Sequence, residues 1–101
     1  MWIITMFDLP TETKKDRKLA SQFRTNLLKD GFTMFQYSVY IRNCSSKESA
    51  DMHIKRVKNM LPPQGNVCLA CITDKQFARM EIFYGQERNK NPQNVVQLTM
   101  F

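Results

Sequence analysis

The chain opens with an almost unbroken apolar stretch, residues 2 to 7, and a carboxylate, Asp8, follows it directly. The stretch is too short to span a membrane, so it predicts a strand that is buried on both faces. Side chains alternate between the faces of a strand, which places Trp2, Ile4 and Met6 on one face and Ile3, Thr5 and Phe7 on the other. Pro10 ends the strand. Asp8 is then either a functional carboxylate at a strand end or an ordinary turn residue.

Two later segments have apolar residues at three- and four-residue steps, which is typical of amphipathic helices. The first begins at a capping box, Thr13 and Asp16, and ends at Gly31. The second begins at a capping box formed by Ser45 and Glu48. The two predicted apolar stripes are Leu19, Ala20, Phe23 and Leu27, and Ala50, Ile54, Val57 and Leu61. The histidine at position 53 lies beside the second stripe and is interpreted as a surface or boundary residue.

The remaining apolar segments predict strands. Residues 33 to 42 indicate one strand or a tight pair, in which Gln36 and Ser38 are polar interruptions that either line a site or pair across a symmetric interface. Residues 67 to 72 predict a fully apolar strand, and Cys68 and Cys71 point to its opposite faces, which favours core packing over a zinc site. One helical turn from residue 73, a short strand at 81–84, a polar loop at 86–94 and a strand-like tail at 95–101 complete the chain.

The order of these elements predicts an α+β, ferredoxin-like βαββαβ fold in a single domain, residues 1–101. The core covers about residues 1–80, and C-terminal strands in residues 81–101 are expected to contact a dimer partner. We expect the first and last core strands to lie in the middle of the sheet. Two helices cover only one face of that sheet, so the other face would expose a large apolar patch around Trp2 or Phe7. A face-to-face homodimer would cover it and bring two copies of Asp8 close together.

The charge of the chain favours a polyanionic partner. Fifteen lysines and arginines against nine acids give a net charge of +6 in 101 residues, and nucleic acid is the favoured partner over a membrane surface. The first helix carries much of this charge, as five candidate nucleic-acid-binding residues: Lys14, Lys15, Arg17, Lys18 and Arg24. Ordinary solvation of a surface helix is the alternative explanation. Three cysteines without a secretory leader indicate a reducing cytoplasm.

Short motifs in the same order along nearly the whole chain carry a family resemblance. They are Phe7-Asp8-Leu-Pro, Arg17-Lys18, Gly31-Phe32, Gln36-Tyr-Ser-Val-Tyr40, Thr73-Asp-Lys-Gln-Phe77 and Val95-Val96. The sequence resembles the second universal CRISPR-associated protein family, the small subunit of the spacer-acquisition module. Residues 75 to 80 look most like members found beside single-protein effector nucleases, the type II systems.

The resemblance implies a ferredoxin-like homodimer with one of two roles. Many members are described as magnesium-dependent endoribonucleases and some as double-stranded DNA nucleases. In the adaptation complex the dimer is instead a non-catalytic bridge between integrase dimers, with prespacer DNA across it. Asp8 matches the catalytic, metal-binding aspartate of the family. Arg17 matches a basic position linked to activity, and Tyr40 stands where an aromatic residue occurs.

Two departures weaken the case for hydrolysis. Phe7 replaces a frequent tyrosine, and Met34 stands where some nuclease-active members have arginine. The candidate site-lining residues are Phe7, Gln36, Ser38 and Tyr40. Three functions therefore remain open: a DNA-binding scaffold, a Mg²⁺-dependent endonuclease that uses paired Asp8 residues, and a toxin-like ribonuclease of the same fold. Each would act on DNA or RNA through backbone contacts, because no base-reading element is present.

Overall fold

Three helices and six strands make up residues 1–89, the part of the chain that the computed structural model describes. In chain order they are β1 (Trp2–Asp8), α1 (Lys14–Lys29), β2 (Thr33–Gln36), β3 (Val39–Asn43), α2 (Lys47–Lys58), β4 (Asn66–Ile72), α3 (Asp74–Ala78), β5 (Ile82–Tyr84) and β6 (Glu87–Asn89). The first six form the βαββαβ pattern of the ferredoxin-like fold, which confirms the predicted fold class.

The main sheet has the strand order β2-β3-β1-β4, and its neighbouring strands are antiparallel. β1 and β3 are therefore the inner strands, and the expectation that the last core strand lies in the middle is wrong. β2 and β3 pair as a hairpin, and β3 occupies one side of β1, so β4 takes the free side and becomes an edge strand. Cys68 and Cys71 of β4 are consequently exposed rather than packed in the core. Cys44 is buried, and this burial raises the pKa of its thiol.

One face of the sheet packs against α1 and α2. Ile3 and Phe7 of β1 contact Phe23 and Leu27 of α1, and Val57 of α2 belongs to the same buried cluster. The rings of Phe7 and Phe23 meet edge to face, with their centroids 5.1 Å apart, an arrangement that aromatic pairs favour. Phe7 is therefore a core residue that helps to fix α1 to the end of β1.

The opposite face is partly covered by residues of the same chain. The ring of Phe77 in α3 stacks on Trp2 at a centroid distance of 3.8 Å, and Ile82 of β5 joins the same buried cluster. The predicted large apolar patch around Trp2 or Phe7 is therefore wrong, because α3 covers Trp2 and α1 covers Phe7. The uncovered part of this face lies toward the end of β1, where the side chain of Met6 is 37% exposed.

The helix boundaries agree with the capping signals in one case and differ in another. Thr13 and Asp16 form the predicted capping box of α1. In α2 the N-cap is Ser46, whose hydroxyl accepts a hydrogen bond from the backbone of Ser49, so the capping box predicted at Ser45 and Glu48 is wrong and a single N-cap bond one residue later replaces it. α2 also ends at Lys58, which leaves Leu61 exposed outside the helix.

A buried carboxylate joins the end of α1 to the middle of α2. The carboxylate of Asp30 lies 2.8 Å from Nδ1 of His53 and 2.9 Å from the guanidinium of Arg56. The side chains of Asp30 and His53 are only 8% and 5% exposed, so the prediction that His53 is a surface or boundary residue is wrong. Burial alone raises the pKa of Asp30, but the hydrogen bonds from His53 and Arg56 outweigh it and hold that pKa below its ordinary value.

Replacing this carboxylate should lower stability in a pH-dependent way. Because the folded pKa of Asp30 is lowered, its contribution is present above the unfolded value of 3.8 and is lost as the pH falls through the folded value. We expect Asp30→Asn to cost about 1–3 kcal/mol at pH 7 and nearly nothing in strong acid. Urea unfolding at several pH values measures this difference.

Asp51→Asn is the matched control, because Asp51 is an exposed carboxylate on α2, the helix that carries the two partners of Asp30. Its unfolding free energy should stay within about 0.5 kcal/mol of the parent chain at each pH. An Asp30→Asn penalty that is equally large at acidic and neutral pH would contradict the ionic explanation.

β5 and β6 form a separate two-stranded antiparallel sheet after α3. The strand predicted at 81–84 is confirmed, whereas the loop predicted at 86–94 is wrong for residues 87–89, which form β6. The predicted tail strand at 95–101 lies outside the described residues. None of the helices within residues 1–89 has both the length and the apolar character that crossing a membrane requires.

Candidate metal and nucleic-acid site

Asp8 is the last residue of β1 and lies at the open end of the sheet. Alternation along the strand places its side chain on the face away from α1 and α2, beyond the exposed Met6. The residue is exposed, and its carboxylate makes no hydrogen bond or ion pair with any other residue in the segment 1–89. The carboxylate is therefore accessible to a cation, to water or to a second protein chain.

Asn66 is the direct neighbour of Asp8 across the sheet. The two residues are paired in the register of β1 and β4, which puts their Cβ atoms about 4.5–5.5 Å apart on one face. Gly65 makes this approach possible, since a Cβ at this position would lie 2.9 Å from the carbonyl oxygen of Asp8. Sequence reasoning missed Asn66, because the register between two strands 58 positions apart has no local signal.

The donors at this end of the sheet suit a hard cation but do not complete its shell. Asp8 and Asn66 offer carboxylate and amide oxygens, the ligand types that Mg²⁺ prefers. Within residues 1–89, however, no three side chains of the His, Cys, Asp and Glu types come together as a metal site. One copy of the chain therefore fits Mg²⁺ only as part of a shell that water, substrate phosphate or a second Asp8 would complete.

Arg24 of α1 lies at the same end of the sheet as Asp8, but on the face that the helices cover. Its guanidinium lies over the rings of Phe7 and Tyr37, with centroid distances of 5.6 Å and 5.2 Å. It also donates long hydrogen bonds to the Tyr37 hydroxyl at 3.5 Å and to Oγ of Ser38 at 3.4 Å. The sequence grouped Arg24 with the surface cations, whereas the structure places it against the β2–β3 turn.

The four candidate site-lining residues are divided between the core and the turn. Phe7 and Tyr40 are buried beneath α1, on the opposite face of the sheet from Asp8. Burial raises the pKa of Tyr40, although the charge of Arg24 opposes this shift, so its hydroxyl stays protonated at neutral pH. Ser38 is half-buried in the turn, and Gln36 is exposed beside a bulge in β2.

The other basic candidates lie around the first half of α1. Lys14 and Lys18 are four residues apart, so they share the outward face of the helix. Lys15 borders a groove of about 220 Å³ between α1 and residues 62–64. Arg17 donates to the carbonyl oxygens of Thr11 and Glu12 at 3.0 Å and 3.2 Å. Arg17 thus holds the loop that follows Asp8. Both bonds are donated by Nη1, so the other N–H groups of the guanidinium can donate to another ligand.

Comparison with known proteins identifies the family. The family model for the CRISPR associated protein Cas2 matches residues 1–80, which include the sheet with Asp8, both long helices and α3. The chain belongs to the Cas2 family. Cas2 membership agrees with the resemblance carried by the Phe7-Asp8-Leu-Pro motif and by the turn motif at residues 36–40.

Individual Cas2 relatives match the whole chain. A CRISPR-associated endoribonuclease Cas2 of Flavobacterium psychrophilum is 52% identical over 101 residues, covering 100% of this chain and 88% of the relative. A protein of the same name from Parvibaculum lavamentivorans is 50% identical and is covered completely. A third, from Campylobacter jejuni, is 48% identical over 102 residues, which cover 71% of that protein.

Proposed function

We propose that this Cas2-family chain acts in CRISPR spacer acquisition as a homodimeric scaffold that binds double-stranded DNA and bridges integrase subunits in the cytoplasm. The main support is the contrast between its two charged features. Exposed cations follow one another along α1, whereas Asp8 belongs to no group of three potential metal ligands within residues 1–89. The exposed cations of α1 suit contacts with the phosphates of a nucleic-acid backbone, whereas a single carboxylate is a poor site for metal-dependent hydrolysis.

A Mg²⁺-dependent endonuclease is the second candidate, and the names of the relatives favour it, since they are called endoribonucleases. A divalent cation, when bound, would supply positive charge to a phosphate and lower the pKa of a water molecule. In this chain Asp8 would hold the cation, Asn66 would orient its water ligands, and the Asp8 of a second copy would complete the carboxylate pair. The exposed Asp8 fits this role as well as it fits a dimer contact.

Removing the Asp8 carboxylate separates the two candidates. We expect Asp8→Ala to bind a DNA duplex at least as tightly as the parent chain, because the change removes a negative charge. Spacer integration with the integrase subunit supplied should also persist. Gel-shift titrations measure DNA binding and an integration assay measures spacer integration. Sedimentation checks that the variant is still a dimer. Loss of integration by a variant that still dimerises and binds DNA would favour the nuclease instead.

The contrasting variant removes cations from the opposite face. Lys14→Ala combined with Lys18→Ala leaves Asp8 unchanged and takes two exposed charges from α1. If these lysines contact phosphates, DNA binding weakens and the slope of log K against log salt falls by about two. An unchanged slope would remove the outward face of α1 from the DNA-binding surface and, with it, the main support for the scaffold.

A further inference from the structure

Two sulfur-containing side chains lie beside Asp8 on the uncovered part of the sheet. Met6 of β1 and Cys68 of β4 are direct partners in the register of these strands, two positions before and after the paired Asp8 and Asn66. Met6 is 37% exposed, and Cys68 is exposed as well. Cysteine is among the residue types that folded proteins bury most often. The packing of this chain therefore does not explain an exposed thiol next to an exposed thioether.

The four side chains share one face of the sheet. Residues two apart on a strand point to the same face and lie about 6.7 Å apart, and antiparallel partners have Cβ atoms about 4.5–5.5 Å apart. Met6, Asp8, Asn66 and Cys68 thus form a rectangle of about 5 by 7 Å, which we call the donor quartet. All four residues are exposed, so a cation can enter from solvent and be reached by each side chain.

The donor quartet differs in chemistry from a magnesium site. It offers a thiolate, a thioether, a carboxylate oxygen and an amide oxygen, and sulfur ligands select softer ions such as Zn²⁺ over Mg²⁺. Only Asp8 and Cys68 belong to the His, Cys, Asp and Glu types, whose groups of three are absent from residues 1–89. The thioether and the amide raise the number of donors from two to four. The carboxylate and the thiolate together match the double charge of the ion.

Cys71 takes no part in the donor quartet, although it completes a C-x-x-C spacing with Cys68. It pairs with Ile3, which faces α1 and α2 in the buried cluster, so Cys71 lies on the opposite face of β4. The quartet is assembled across two strands, and for this reason the spacing of cysteines along the chain does not reveal it.

We propose that the donor quartet is a binding site for a thiophilic divalent cation, represented by Zn²⁺, with Cys68 as its thiolate ligand and Asp8 as its carboxylate ligand. The Cys68 thiol releases its proton to solvent when it binds the ion. Bound Zn²⁺ occupies the Asp8 carboxylate and therefore competes with Mg²⁺ for it. The exposed cations of α1 belong to the other face of the sheet, so the site does not depend on the proposed DNA binding.

The test uses Cd²⁺ as the probe, because a bond between Cd²⁺ and a thiolate gives an ultraviolet charge-transfer band. Titration of the metal-free chain should give a band that saturates at about one Cd²⁺ per chain, persists in excess Mg²⁺ and is removed by Zn²⁺. Cys68→Ser should lose the band and bind Cd²⁺ at least about ten-fold more weakly. Asp8→Asn should keep the band but also bind about ten-fold more weakly. Equilibrium dialysis measures these affinities.

Cys71→Ser is the matched control, because Cys71 is also an exposed thiol of β4 but lies on the opposite face. This variant should keep the band and the affinity of the parent chain. Loss of the band in Cys71→Ser, or its retention in Cys68→Ser, would overturn the site. Equal Cd²⁺ affinity of Asp8→Asn and the parent chain would overturn it too, because the thiol would then bind alone. Dissociation of the dimer in Cys68→Ser would assign Cys68 to a protein interface and likewise overturn the site.

Discussion

Gly65→Ala should destabilise the chain by about 2–4 kcal/mol, which combines a strained backbone angle with overpacking. Gly65 has a φ of 98°, and a Cβ there would lie 2.8 Å from Cδ2 of Leu9 and 2.9 Å from the carbonyl oxygen of Asp8. The Leu9 methyl group can rotate away, but the Asp8 carbonyl belongs to the backbone of β1 and cannot. Urea unfolding followed by circular dichroism measures the loss.

Gly85→Ala is the matched control for the backbone contribution. Gly85 also has a positive φ, 63°, but nothing lies within 4 Å of a Cβ built on it. It should lose only about 1–2 kcal/mol, the cost of the angle alone. Equal losses of unfolding free energy in the two variants would show that the close approach of Gly65 to the end of β1 adds nothing to the cost of the substitution. A larger loss at Gly65 would show that crowding against the end of β1 adds to the cost of the backbone angle.

The first strand and first helix could be predicted because their signals are local. An apolar stretch that ends in Asp8 and Pro10 defines β1 within ten residues. Thr13 and Asp16 stand three residues apart, and this spacing alone is enough for the two reciprocal hydrogen bonds of a capping box. No information from the rest of the fold is needed for either element.

Strand order could not be predicted in the same way. β4 is as apolar as an inner strand, but its place in the sheet depends on which strands pair with it. The hairpin of β2 and β3 occupies one side of β1, so β4 pairs with the other side and lies at the edge. The buried position of His53 has a similar origin. Its partner Asp30 is 23 residues away, and the two meet only after α1 and α2 have packed on the sheet.

For the same reasons, only part of the candidate site could be predicted from the sequence. Asp8 could be found because its place at a strand end is local, and the Cas2 resemblance gave it a metal-binding role. Asn66 and the pairing of Arg24 with Tyr37 depend on contacts between distant segments. Arg17 shows a further limit, because its partners are backbone carbonyl oxygens, which every residue has and which no sequence pattern marks.

Phe77→Ala should be the most costly single change, with a loss of about 3–5 kcal/mol in unfolding free energy. The Phe77 side chain is only 3% exposed and stacks on Trp2 with an angle of 11° between the rings. Its removal would leave a cavity under α3 and expose Trp2 to water. The chain has a single tryptophan, so its emission should shift to longer wavelength in the folded variant. Urea unfolding and fluorescence spectra measure the two effects.

Tyr84→Ala is the control, because it removes an aromatic ring that is 88% exposed from the same part of the chain. It should change the unfolding free energy by no more than about 0.5 kcal/mol. The comparison also bears on the predicted homodimer. If α3 is the cover of Trp2, Phe77→Ala destabilises the chain at every protein concentration. If a second copy covers this face instead, the loss is small and the unfolding midpoint depends on concentration. The first outcome would confine a face-to-face interface to the open end of the sheet, around Met6 and Asp8.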